Sequence, residues 1–207
     1  MQNYRPYFIK IIKRDFPGKY QQVLAATEEH FKNILPDIRF AVTSKNPIDK
    51  RLDFCGYFLA LIKALEGEGE DFESIRRTCL AIVTDYVTPK NSIQKLLKRL
   101  PATFIDTRFA RIFLKAFHQR VSRNENKDGF IANIITDKAD TFGLGYGVDI
   151  IECGICKLFT KHHYQKYAAI LCEVDEITSA MAGLKLIRTG TIANGAKKCD
   201  FRFIKES

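Results

Sequence analysis

Phe142-Gly143-Leu144-Gly145-Tyr146-Gly147-Val148-Asp149-Ile150-Ile151 opens the stretch whose reading decides the fold, and the stretch runs on to Phe203. Phe142, Leu144, Tyr146, Val148 and Ile150 share one face of an expected strand, and Gly143, Gly145, Gly147 and Asp149 the other. A bare glycine face weakens a strand and marks the close approach of a helix or a ligand. The alternation lacks a G-x-G-x-x-G turn opening a helix, so it is no dinucleotide fingerprint. Upstream, residues 130–136 read as a strand and 137–140 as the connecting hairpin loop. Downstream, residues 164–181 read as a long helix. Residues 184–192 and 198–204 read as two strands around Asn194-Gly195, a hairpin signal.

The texture before Asn124 is different. Apolar residues recur at helical spacing over 19–34, with Pro36 as an expected stop, and an apolar helix is expected over 52–65. Asp71 is placed to cap a helix to Val87, Asn91-Ser92 to start one closed by Pro101, and Thr103 or Asp106 one reaching Val121. Residues 4–13 suit a short helix or an extended arm. The expected architecture is α+β, with N-terminal helices packed against a C-terminal antiparallel sheet of about four strands and one long helix. One domain spans 1–207, with a helical part (1–123) and a motif-bearing part (124–207).

Composition narrows the partners. A hydrophobic content of 46% suffices for a sizeable core. The net charge of +9 is spread along the chain, and Lys95, Lys98 and Arg99 alternate with Leu96, Leu97 and Leu100 as on the solvated face of an amphipathic helix. Nucleic acid is therefore not expected as a partner, and a small anionic molecule is. No run has the length to span a bilayer, so no membrane partner is expected. Met1-Gln2-Asn3-Tyr4-Arg5 lacks a signal pattern, which points to the cytoplasm, where six cysteines need not pair.

Three groups of residues can carry chemistry. Asp175 falls within the apolar stripe Ala168, Leu171, Val174, Thr178 of the long helix, where a carboxylate needs partners. A two-residue turn at Asn194-Gly195 would set Gly190 opposite Cys199, Arg188 opposite Phe201 and Leu186 opposite Phe203. Arg188 would then point inward among phenylalanines and want a carboxylate, either Asp175 or a bound anion. Cys153, Cys156, Cys172 and Cys199 formally provide four thiolates for a divalent metal (Zn²⁺ or Mn²⁺) or an iron–sulfur cluster. Otherwise Cys153 and Cys156 are packing thiols or a redox pair, and Cys199 beside Arg188 would have a lowered pKa. Cys55 and Cys79 read as core residues, His162-His163 as solvated, and His30 and His118 as single helix residues.

Asp149-Ile150-Ile151-Glu152-Cys153, Leu171-Cys172-Glu173-Val174-Asp175, Arg188-Thr189-Gly190-Thr191-Ile192-Ala193-Asn194-Gly195 and Cys199-Asp200-Phe201-Arg202-Phe203 together resemble the L-2-amino-thiazoline-4-carboxylic acid hydrolase family. The likeness covers the last third of the chain. Its Gly195…Cys199-Asp200-Phe201 ending is also similar to vinyl-reductase-type small-molecule-binding domains. The first resemblance implies hydrolysis of a small cyclic C–N or C–S bond, with Arg188 anchoring a substrate carboxylate beside Gly190, Thr191, Tyr146 and Asp149. Asp175 would be the acid/base, and Cys172 or Cys199 the nucleophile or one pole of a metal site. The second implies a non-catalytic binding or sensor module. A homodimer is compatible with either.

Overall fold

The structure, a computed structural model, describes residues 4–105, 107–123 and 125–205. Its axis is helix α3 (Arg51–Gly67), which is apolar on nearly every side and buries Leu52, Tyr57, Phe58, Leu59, Leu61, Ile62 and Leu65. A helix without a polar face is stable only when wrapped. Helix α2 (Tyr20–Ile38) lies along it, crossing at Gly56, where a Cβ would come within 2.6 Å of Ile38 Cδ1. Helix α1 (Arg5–Asp15) sets Phe8 against Tyr57 and Phe58 with ring centroids 4.8 and 4.7 Å apart. The N-terminal residues 5–15 are thus a helix, not an arm. Helix α4 (Phe72–Val87) starts as expected at Asp71, whose carboxylate accepts the Ser74 N–H at 2.7 Å.

Two expected stops are not stops. Pro36 and Pro101 each lie inside the last turns of their helices, where one missing N–H costs a single bond: α2 continues to Ile38, and α5 (Ser92–Phe104) to Phe104. Helix α6 (Arg108–Val121) is capped by Thr107, whose hydroxyl accepts the Ala110 N–H. Asp106 and Asn124 lie outside the described residues. The faces of α5 also differ from expectation. Leu96 and Leu97 are 63% and 57% exposed, while Lys98 reaches the Val87 carbonyl and Arg99 lies against Gly183. Lys95 and Arg99 are exposed as well, and Leu100 is half-buried, so leucines and cations share the solvent side of the helix. No helix among the described residues is long and apolar enough to cross a membrane.

The sheet is antiparallel, in the order β1-β2-β4-β3, from β1 (Ile131–Ile135), β2 (Gly147–Glu152), β3 (Leu184–Ile187) and β4 (Cys199–Lys205). Between β2 and β3 lie α7 (Gly154–Lys161), which the sequence did not reveal, and α8 (Ala168–Met181). Helix α8 packs on β3 and α6 on β1. The α+β architecture expected from the sequence is the one observed.

Two local expectations change. Residues 142–146 form turns instead of strand, because Phe142, Gly143 and Gly145 take φ of 51°, 83° and 70°. Within β2 Gly147 is the one glycine left of that face, and what approaches it closely is the neighbouring strand β4. A Cβ there would be 3.0 Å from Arg202 Cδ and from the Phe201 carbonyl oxygen. At the other end of the sheet, Leu186 pairs with Phe203, the register of a two-residue turn, but pairing stops at Ile187 and Arg202. The connection is wider than a tight hairpin, with a 3₁₀ turn at Ile192–Asn194 and left-handed Gly195 at φ 86°.

Candidate functional site

The inward sheet face, the first turn of α3 and the middle of α8 enclose a cleft of about 410 Å³. Val148, Ile150, Phe201 and Phe203 form its floor, Tyr146 and Phe117 its flanks, and Arg51 and Asp175 its charged wall. Tyr146 stacks on Phe203 with ring centroids 5.6 Å apart, and burial pushes its phenol up. Apolar walls around a few convergent polar groups are the usual form of a small-molecule site.

Asp175 is the centre of that wall. Arg51 Nη2 donates to its Oδ1 at 2.8 Å, and Arg188 Nη1 lies 3.7 Å from its Oδ2. The Thr178 and Ser179 hydroxyls donate to its backbone carbonyl at 3.1 and 2.7 Å, fixing where the side chain leaves the helix. Arg188 is only 11% exposed at its side chain. Its Nη2 donates to the Cys172 carbonyl at 3.3 Å and lies 3.5 Å from Glu176, and its guanidinium sits 5.3 Å from the Phe201 ring centroid. Its Nη1 is the one buried side-chain nitrogen or oxygen without a hydrogen-bond partner among the described residues. A buried orphan donor on an arginine is costly unless something accepts from it.

Arg188 is held from behind by Asp200. The Thr189 and Gly190 N–H groups each donate to Asp200 Oδ1 at 3.0 Å, and the Thr189 hydroxyl donates to Oδ2 at 2.5 Å. Burial would push the Asp200 carboxyl up, but these bonds outweigh it and hold it below its ordinary 3.8. A depressed carboxyl stabilises the fold above that ordinary value, and the contribution is lost as pH falls through the folded-state value. Asp200→Ala is therefore expected to cost about 1 kcal/mol near neutrality, since its hydrogen bonds are largely solvent-exposed. The gap from wild type should narrow as pH falls below 3.8, as measured by denaturant unfolding across pH.

The other expected ligand residues fall elsewhere. Asp149 is buried on the opposite sheet face, taken by Lys198 at 2.6 Å and Arg202 at 2.9 Å, and does not reach the cleft. The Thr191 hydroxyl caps the 3₁₀ turn by accepting the Asn194 N–H at 3.2 Å. A Cβ at Gly190 would come within 2.8 Å of Ala196 Cβ. His162, expected in solvent, is paired with Asp37 at 3.0 Å, and His118 Nδ1 accepts the Ile134 N–H.

The cysteines divide. Burial pushes the Cys172 thiol up to about 12, with the Asp175 charge adding to it. Cys199 is also pushed up by burial, although its sulfur accepts the Ile192 N–H at 3.2 Å. The lowered pKa expected for Cys199 is thus corrected: losing water outweighs the nearby Arg188. Among the described residues no group of three or more His, Cys, Asp or Glu side chains converges to hold a metal ion. The set Cys153, Cys156, Cys172 and Cys199 does not form the expected four-thiolate site.

Arg51 was missed by sequence reading. Its signal was faint: a cation opening a helix that is otherwise apolar, 124 residues from its carboxylate partner. A family model described as L-2-amino-thiazoline-4-carboxylic acid hydrolase matches residues 51–203, a span that begins at Arg51 and includes Asp175 and Arg188. No curated protein and no solved structure matches the chain.

Proposed function

The chain belongs to the L-2-amino-thiazoline-4-carboxylic acid hydrolase family, and on that premise we propose that it hydrolyses a small carboxylated heterocycle of the 2-aminothiazoline-4-carboxylate type in the Asp175 cleft. The observation that carries the reading is one carboxylate set between two guanidiniums of different character. Arg188 is enclosed, whereas Arg51 lines the cleft with a side chain 47% exposed. Arg51 is therefore free to exchange Asp175 for a substrate carboxylate, while Arg188 keeps Asp175 in place. The anchor role expected of Arg188 passes to Arg51 in this reading, and Arg188 becomes a positioning residue.

The chemistry consumes one water. Water adds to the ring carbon between nitrogen and sulfur; Asp175 takes one water proton and passes it to the ring nitrogen, and the hydroxyl proton of the adduct goes to the departing ring atom as the carbonyl of a carbamoyl-cysteine forms. No electrons change hands. Neither Cys172 nor Cys199 is needed as a nucleophile, which suits the raised pKa of both thiols.

Mass spectrometry of 2-aminothiazoline-4-carboxylate turnover tests the proposal. The wild type should form a carbamoyl-cysteine. Arg51→Leu should raise KM by about 10–100-fold, the loss of one charge-assisted pair, with a smaller change in kcat. An unchanged KM would remove Arg51 as the anchor. Absence of product from the wild type would reject this substrate and favour a binding module built on the same cleft.

A further inference from the structure

A separate wall of the protein carries paired thiols. Cys153 is the N-cap of α7, with φ −104° and ψ 109°, and Cys156 is the third residue of that helix. The Cys156 thiol hydrogen-bonds the Cys153 sulfur across this first turn, so the two thiols face one another. Both are half-buried, and both line a cleft of about 670 Å³ together with Lys157, Lys161, Ile192 and Lys197. This cleft shares no residue with the Asp175 cleft. Its lining carries four lysines and the carboxylates of Asp128 and Glu152; Lys157 is paired with Glu152 and Lys161 with Asp37 just outside it, which leaves Lys127 and Lys197 against Asp128 and a single net positive charge.

We propose that Cys153 and Cys156 are a redox-active dithiol that exchanges with a small carboxylate-bearing disulfide bound in this cleft, with Cys153 attacking first. The order follows from the two environments. Hydrogen bonding from the Cys156 thiol, with the N–H groups of Cys156 and Ile155 at the open end of α7, pulls the Cys153 thiol down. Cys156 is pushed up by its neighbour, and Cys55, Cys79, Cys172 and Cys199 are pushed up by burial. Cys153 is thus the thiol best placed to ionise near neutrality.

The Cys153 thiolate attacks one sulfur of the bound disulfide, whose S–S bond breaks and releases a first thiol. Cys156 then attacks the Cys153 sulfur of the mixed disulfide and releases the second. The protein dithiol is oxidised by two electrons, and the small disulfide is reduced to two thiols, which carry away the two cysteine protons.

The test mixes the reduced full chain with oxidised glutathione, or with cystamine as its cationic counterpart, and follows intact mass and peptide mapping. The wild type should lose two hydrogens and show a Cys153–Cys156 bond. Cys156→Ser should stop as a glutathione adduct on Cys153, and Cys153→Ser should react at least about tenfold more slowly. Cystamine should react more slowly than oxidised glutathione. Circular dichroism confirms that each near-isosteric serine variant is folded. Wild-type rates in Cys153→Ser, adducts scattered over other cysteines, or no reaction would overturn the dithiol. Equal rates for the two disulfides would overturn the carboxylate preference.

Discussion

Asp175→Asn is expected to lower kcat for 2-aminothiazoline-4-carboxylate by about 10²–10⁴-fold while KM changes little, the size of effect associated with one positioned general base. Asparagine keeps the shape of the side chain, and its amide oxygen can still accept from Arg51 Nη2, now 2.8 Å from Asp175 Oδ1. It cannot take a proton from water. The change also removes the one negative charge between Arg51 and Arg188, so the wall becomes more positive and an anionic substrate is not repelled. The backbone bonds from Thr178 and Ser179 persist, because they end on the Asp175 carbonyl. Steady-state kinetics by mass spectrometry, with thermal unfolding as a check on folding, decide the matter. Full activity would end the acid/base assignment. Loss of binding in step with turnover would make Asp175 a structural residue.

Phe58→Ala is expected to cost about 3–5 kcal/mol, which for a chain of this size lowers Tm by roughly 10 °C. Phe58 is fully buried in α3, with Phe8 and Phe54 rings at 4.7 and 4.8 Å, so truncation leaves a cavity lined by stiff aromatics that cannot collapse into it. The consequence reaches the cleft, since Arg51 is the first residue of the same helix. Calorimetric unfolding measures the effect. A loss below about 1 kcal/mol would show that α3 is not the packed axis described above.

What the sequence revealed followed its periodicity. The position of Asp175 within the α8 stripe predicted a carboxylate that needs partners, and Arg188 stands 3.7 Å from it. The register that brings Leu186 opposite Phe203 followed from counting around Asn194-Gly195, even though the connection is not a tight turn. Elsewhere the period misled. Glycines alternating over 142–146 imitate a strand, yet φ values of 83° and 70° at Gly143 and Gly145 make turns, a freedom that spacing alone does not display. Helix α7 is only eight residues long, too short for a periodic signal, and its Cys153-x-x-Cys156 spacing was open to several readings. Arg51 stayed hidden because an ion pair between distant helices leaves no local pattern. Charge alternation in α5 marked an amphipathic helix but not which face would turn inward.

The most direct measurement is calorimetric titration of 2-aminothiazoline-4-carboxylate into Asp175→Asn, and into the same variant carrying Arg51→Leu. The first should bind one ligand per chain without turnover. The second should bind at least about tenfold more weakly, because the partner of the substrate carboxylate is gone. Equal binding by the two variants, or no binding by the first, would contradict the claim that Asp175 and Arg51 form the substrate wall.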